Sequence, residues 1–281
     1  MKKLLSLLLA GLMIVSFAAC SDKDESENDL DAYVQEEIVI DFYTNEKGET
    51  FTFDSLDSET ITITSYDGSD LPHAVEIPAE MLGKKVAGIS DMAFYALSNI
   101  TEIKLPSTIT SIGDMAFAEC RQLTSVTIPA TVESIGTASF KGCISLKSVT
   151  FEAGSKLTAI PDSAFMQCTA LESLTVPGSV EIIGKAAFQN CDALKSIVIE
   201  EGVKVIENQA FQHCKALESL KLPASLTEIK GDEASGKNFN FTGCEALYAE
   251  NVTVPADANS VAAKYIASLK LSSKPAEQPA A

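Results

Sequence analysis

The sequence predicts a right-handed α/β-type solenoid, in which short helical or 3-10 turns alternate with the strands of one parallel β-sheet, closed at its start by an N-terminal β cap. Two observations lead there. A phenylalanine column runs Phe94, Phe117, Phe140, Phe165, Phe188, Phe211 and Phe241, in steps of 23, 23, 25, 23, 23 and 30 residues. That spacing belongs to stacked units and not to a single globular core. Inside each unit, the apolar period then changes from about three residues to two, which marks a turn followed by a strand.

The unit that begins at Ile112 shows each element. Ala116, Phe117, Cys120 and Leu123 recur at about three residues, as one side of a short helical or 3-10 turn would. Val126 and Ile128 alternate with Ser125 and Thr127, which is strand spacing with one face buried. Pro129 ends the strand, because proline cannot donate to a ladder. Val132 and Ile135 turn the chain back. Gly113, Gly136 and Gly184 follow the returning isoleucine, where a tight corner favours a permissive backbone. Pro161, Glu207 and Lys230 fill the equivalent places, so glycine is not required there. Strands stacked roughly 4.8 Å apart would give a sheet about 30 Å long across the seven coils.

Both ends read as caps. Residues 38–42, 51–53 and 61–63 alternate apolar with polar around Asn45-Glu46-Lys47-Gly48, so an N-terminal β cap and half-repeat is expected over 37–88, ahead of repeats over 89–256. A capping helix is expected within 257–271, with Ala262, Ile266 and Leu269 inward, and a proline- and alanine-rich disordered tail over 272–281.

The repeated pattern I-G-x-x-A-F-x-x-C-x-x-L-x-S-V-x-I-P, carried by Ile112, Gly113, Ala116, Phe117, Cys120, Leu123, Ser125, Val126, Ile128 and Pro129, resembles the BspA-type leucine-rich repeat of bacterial surface proteins. The match covers nearly everything after residue 59. Residues 61–66, 75–78 and 83–89 look like that family's lead-in, and 252–255 with 260–267 like its lead-out. The resemblance implies a leucine-rich repeat solenoid that adheres to a protein partner, such as host extracellular matrix or another cell surface. Leu97 replaces the cysteine of the first full coil, Glu152 and Glu200 replace the strand-end proline, and a loop near 231–240 lengthens the last step. These departures suggest local bulges in the coil.

The start of the chain carries a second signal. Met1-Lys2-Lys3 is basic, residues 4–19 are an apolar run short for a membrane span, and Cys20 follows Phe17-Ala18-Ala19. Residues 1–19 therefore read as a lipoprotein signal peptide and Cys20 as the lipid attachment site, with two or three acyl chains giving stable membrane anchorage. Residues 20–36 read as an acidic tether, beginning Ser21-Asp22-Lys23-Asp24-Glu25. That stretch also resembles the acidic export signal of some Gram-negative anaerobes, so the expected location is outer-membrane, lipid-anchored and at the cell surface.

Charge and composition narrow the functions. The chain has 21 basic and 39 acidic residues, a net −18. Losing Lys2 and Lys3 with the leader leaves 19 basic residues and −20. Nucleic acid would be repelled, while basic protein patches and divalent cations are compatible. The other six cysteines, Cys120, Cys143, Cys168, Cys191, Cys214 and Cys244, occupy one position per coil. Stacked side chains point the same way and not toward each other, so reduced, core-filling thiols are expected. No metal or cofactor and no enzymatic activity is expected, since phosphate loop, zinc spacing and nucleophile elbow are all missing. His73, in a loop, and His213, at a variable repeat position, share no partner in the sequence. Asp67-Gly68-Ser69-Asp70 and Gly231-Asp232-Glu233 read as turns and not as calcium loops.

The candidate binding face is the solvent-side column of the sheet: Glu102 and Lys104, Ser125 and Thr127, Ser148 and Thr150, Ser173 and Thr175, Ser196 and Val198, Ser219 and Lys221. Hydroxyl rows on a stiff scaffold can meet a partner at low ordering cost. Serine and threonine also suit exposed strands while recognising nothing, and the residues alone leave both accounts open. The expected function is a protein-binding or adhesion module. Glycan capture for nutrient uptake is the alternative, weakened by the absence of tryptophan and of tyrosine in this column.

Overall fold

The computed structural model describes residues 13–14, 39–232, 239–269 and 271. Cys20, the acidic tether, the 272–281 tail and positions 233–238 of the last long step lie outside the described residues. So does the leader, apart from Met13–Ile14, a two-residue strand antiparallel to the strand that begins at Val39.

The solenoid is built as its periodicity predicts. Eight strands run side by side in chain order: His73–Glu76, Ile100–Lys104, Ser125–Ile128, Ser148–Phe151, Ser173–Val176, Ser196–Ile199, Ser219–Lys221 and Val252–Thr253. Every neighbouring pair is parallel. Seven steps of about 4.8 Å make the sheet about 34 Å long. Equivalent residues face each other, Val126 beside Val149 and Leu174 beside Ile197, so one inward slip would expose a whole column. The returning arc carries short strands of its own. Ser111–Ile112 and Ser134–Ile135 continue the cap sheet, and Ala159–Ile160, Ile182–Ile183, Val205–Ile206 and Glu228–Ile229 form a separate ladder. The break between Ile135 and Ala159 falls at the 25-residue step, where two extra residues enlarge the arc after Phe151.

The turns differ from the helical reading. Met92 and Ala96 are left-handed, with φ of 56° and 59°, and the same pair recurs at Met115 and Glu119 and at Ala186 and Asn190. Among the described residues the only 3-10 segment is Ala249–Asn251. A helical turn would direct its N–H groups onto its own carbonyls. Here Met92, Phe94 and Ala96 donate to Asp114, Ala116 and Ala118 of the next coil at 2.9, 2.8 and 2.8 Å. The turns are therefore a third ladder along the axis, and the same inward period of about three residues arises from either conformation.

The glycines after the returning isoleucine also work differently from the expected corner. None of Gly113, Gly136 and Gly184 has a positive φ. A Cβ on Gly136 would lie 2.4 Å from the Asp114 nitrogen, and one on Gly113 2.5 Å from the Asp91 nitrogen. The constraint is space, because the preceding coil's backbone occupies it. Glu200 does not create the expected bulge, whereas at Glu152 the coil does widen, because two extra residues follow Phe151. Phe151 stays in register with Ile128, and Ile199 with Val176. Having an N–H where proline has none, Glu152 and Glu200 each add a ladder bond, to Ile128 at 3.0 Å and to Val176 at 3.1 Å.

One apolar spine fills the interior. The seven column phenylalanines stack nearly parallel, with centroids 5.0 to 5.5 Å apart. Phe51 and Tyr66 of the cap extend the column at one end, and Tyr265 closes it at the other. The six cysteines of the repeats are free and buried. Each thiol donates to the carbonyl of the preceding coil's phenylalanine, from Cys120 to Phe94 at 3.1 Å through Cys244 to Phe211 at 3.3 Å. Burial pushes the Cys120 and Cys191 thiols up to about 12 and raises those of Cys143 and Cys168 well above the ordinary value.

The ends are closed as follows. Val39–Thr44, Thr50–Ser55 and Thr60–Asp67 form an antiparallel meander, and its last strand runs parallel to Lys84–Ile89, so the cap belongs to the return-side sheet. Its first turn is held by the Asn45 side chain, which accepts from the N–H groups of Lys47 and Glu49. At the far end, helix Val261–Leu269 starts at Ser260, whose hydroxyl accepts from the Ala263 N–H. Ala262, Ile266 and Leu269 pack on the core together with Tyr265.

Candidate functional site

The sheet's outward residues form two aligned rows. Ser125 pairs with Ser148, and Ser173 with Ser196 and then Ser219. Thr127 pairs with Thr150, while Thr175, Val198 and Lys221 continue the second row. Ser148, Thr150, Ser173, Thr175, Ser219, Thr127, Glu102, Lys104 and Lys221 are exposed; Ser125, Ser196 and Val198 are half-buried. All the sequence-predicted face residues are therefore on one surface, in the order the repeat implies. Glu102 and Lys104 stand nearest the cap, where Lys104 lies 4.0 Å from Glu76, a weak contact between solvated groups.

These hydroxyls differ from the threonines elsewhere on the coil. Thr110, Thr124, Thr131, Thr169 and Thr227 each donate to a carbonyl of the preceding coil at 2.8 to 3.2 Å, and so tie neighbours together. None of the serines and threonines of the sheet column bonds another described residue through its side chain. Their donors and acceptors are directed to whatever lies outside. Beside them runs a charged row of alternating sign, Lys147, Glu172, Lys195 and Glu218, all exposed.

Between Ser148–Phe151 and Ser173–Val176 the face opens into a groove of about 620 Å³. Only Ser148 and Ser173 remain paired across this step, whereas four pairs join the strands on either side. The enlarged arc makes the outer wall, with Gly154 left-handed at φ 78°. Phe151 lines the groove half-buried, although Ile128, Val176 and Ile199 at the same position are fully buried. Glu152 and Glu200 stand at its rim. Each is held by one oxygen, Glu152 by the Ala130 N–H at 3.0 Å and Glu200 by the Gly178 N–H at 3.1 Å. The neighbouring Glu201 reaches the next coil, and the Ala224 N–H holds its carboxyl below the usual range. Sequence reasoning passed over this groove, yet the 25-residue step between Phe140 and Phe165 was its signal.

The titratable groups elsewhere are structural. His73, expected in a loop, begins a strand. Its Nε2 is 2.8 Å from the Tyr66 hydroxyl and 3.8 Å from the Glu49 carboxylate, and its Nδ1 is 2.8 Å from the Leu71 carbonyl. Glu49 and Tyr66 are buried, and burial first, then Glu49, raises the Tyr66 hydroxyl above its ordinary range. The cluster fastens the cap to the first coil. His213 takes a left-handed turn position, φ 60°, against Gly243. Among the described residues, no three His, Cys, Asp or Glu side chains gather as metal ligands, and no helix is long and apolar enough to cross a membrane.

Known structures place this architecture among bacterial proteins. A leucine-rich repeat protein of T. pallidum shares 30% identity over 72% of this chain and 89% of its own, with a TM-score of 0.64. A leucine-rich cell surface protein of Faecalibacterium prausnitzii is 29% identical over 77% of this chain, with a TM-score of 0.62. A leucine-rich repeat protein of Eubacterium ventriosum, 23% identical with a TM-score of 0.60, shares the fold over 73% of this chain. The alignments span 55% and 50% of those last two proteins. No curated protein matches the chain. The BspA type Leucine rich repeat region, in six copies, matches residues 59–158, 87–218 and 158–273. With the repeat unit, the stacked core and these matches in agreement, the chain belongs to the BspA-type leucine-rich repeat family.

Proposed function

We propose that this protein is a lipid-anchored adhesion module of the cell surface, which meets a host or bacterial protein through the serine and threonine face of its long sheet. Proteins of this family are of bacterial surface type and are generally protein-binding modules. The observation that carries the reading is the contrast between two sets of hydroxyls. Threonines on the turns are bonded within the protein, while those on the sheet face are aligned, solvent-facing and unbonded. A partner meeting that face gains hydrogen bonds and orders little, since the backbone beneath is fixed by ladders on both sides. Anchorage is assigned to Cys20, at the end of an apolar run closing in Ala18-Ala19. Outer-membrane attachment and surface display follow from that anchor and the acidic residues after it.

The test uses the leaderless protein on protein and glycan arrays, beside a Thr127→Arg, Ser219→Arg chain that blocks the face and leaves the core alone. Saturable protein binding that the double variant loses supports the reading. Saturable glycan binding with no protein hit reverses it in favour of glycan capture. For the anchor, Cys20→Ala should move the protein out of the membrane fraction. Protease added to intact cells should remove the wild type, and its survival would refute surface display.

A further inference from the structure

Resting on the reading of the sheet face as a protein-binding surface, we infer that the groove between Ser148–Phe151 and Ser173–Val176 is the specificity site of that face and takes an arginine side chain of a basic protein partner. Three features converge on this ligand. First, the groove is built, because the enlarged arc after Phe151 interrupts the return ladder and walls the space between the two strands. Second, its polar lining is rich in acceptors. Glu152 and Glu200 carry fixed negative charge at the rim, each with a second carboxylate oxygen beyond the one bonded to backbone. Third, Phe151, half-buried where the equivalent aliphatic residues are fully buried, packs on the core and lines the groove.

Arginine satisfies all three at once. It brings five N–H donors and no acceptor, so every polar contact here would run from the guanidinium to Glu152, Glu200 or a strand hydroxyl. Its planar head stacks on an aromatic face while pairing with carboxylates, which a lysine ammonium does less well. The groove holds no cationic residue among its lining, and the chain as a whole is at −18, so approach of a basic partner is steered toward this surface. An acidic or neutral side chain would leave both glutamates without a counter-charge.

The test titrates the leaderless protein with the capped peptide acetyl-Gly-Ser-Arg-Ser-Gly-amide, followed by amide NMR shifts, and repeats it with citrulline in place of arginine. Saturable shifts are expected at Phe151, Gly154 and Ser179, with none from the citrulline peptide. Glu152→Gln with Glu200→Gln preserves the backbone acceptors and should weaken binding about tenfold or more, because a charge-assisted pair is removed at each rim. Glu172→Gln with Glu218→Gln, on the same face outside the groove, should change it less than about twofold, as screened surface charges do. The inference is overturned by shifts spread over every acidic surface, by equal binding of the citrulline peptide, by indifference to the groove variant, or by no saturable binding. An array partner lost with Thr127→Arg, Ser219→Arg but kept with the groove variant would sink the groove alone. A groove that binds arginine on a protein that no array partner meets would sink the broader face reading instead.

Discussion

Replacing Ser139 by alanine should stabilise the protein. The position just before each column phenylalanine is Ala93, Ala116, Ala164, Ala187 and Ala210 in five coils, Ser139 in one, and in the last Asn240, whose side chain is hydrogen-bonded. Ser139 is 0% exposed and its hydroxyl oxygen has no hydrogen-bond partner. Leaving such a group buried and unsatisfied costs about 1 to 3 kcal/mol, while the methyl that replaces it fits where five neighbours already hold one. A gain of about 1 kcal/mol is the expected outcome, or about 2 to 4 °C in Tm for a chain of this size. Because each coil touches only its neighbours, the effect should be local and should leave the sheet face unchanged. Thermal and urea unfolding followed by circular dichroism measure it. The reciprocal Ala116→Ser variant, which introduces the same hydroxyl one coil earlier, should lose a similar amount. A destabilised Ser139→Ala, or an Ala116→Ser without effect, would show that this column tolerates a hydroxyl and refute the argument.

Three further outcomes follow from the same geometry. Phe165→Ala removes a ring flanked at 5.3 and 5.4 Å on its two sides and should cost about 3 to 5 kcal/mol, read as a lower urea midpoint; a loss below about 1 kcal/mol would mean the stack is not the spine. In a Cys20→Ser chain the six remaining thiols should ignore Ellman's reagent at pH 8 until the protein unfolds. Since the folded Cys120 and Cys191 thiols lie at about 12 against an ordinary 9.0, the folded state keeps protons that the unfolded state has lost. Stability should therefore be unaffected by them below pH 9 and fall between pH 9 and 12, by about 1.4 kcal/mol per pH unit for each such thiol, and a flat urea midpoint over that window would contradict it. Gly136→Ala forces a methyl within 2.4 Å of the Asp114 backbone and should cost about 3 kcal/mol, whereas Gly154→Ala meets open space and should lose only about 1 kcal/mol for its left-handed backbone; equal Tm shifts would refute the distinction.

Much of this architecture is written in one dimension. A solenoid repeats its local contacts, so the spacing of Phe94 to Phe241 and the alternation around Val126 and Ile128 specify coil, strand and inward face with little help from distant chain. The same holds for the cysteines, whose fixed place in each unit already says that they stack along the axis. The column Ser125 to Lys221 was legible for that reason too: a residue beside an inward one on a strand must face outward.

What the sequence by itself determined, then, is every feature that one repeat unit contains. Only the tertiary structure decided what happens between units. Left-handed turns replaced helical ones because their N–H groups bond the next coil, a choice invisible to a period of three. Glycine at 113 and 136 answers to the backbone of the coil before it and not to its own φ. The groove at Phe151, the rim carboxylates of Glu152 and Glu200 and the bond between Tyr66 and His73 all join residues of different coils or of cap and coil. Such contacts depend on how far one turn is displaced against the next, and spacing along the chain counts residues without measuring that displacement.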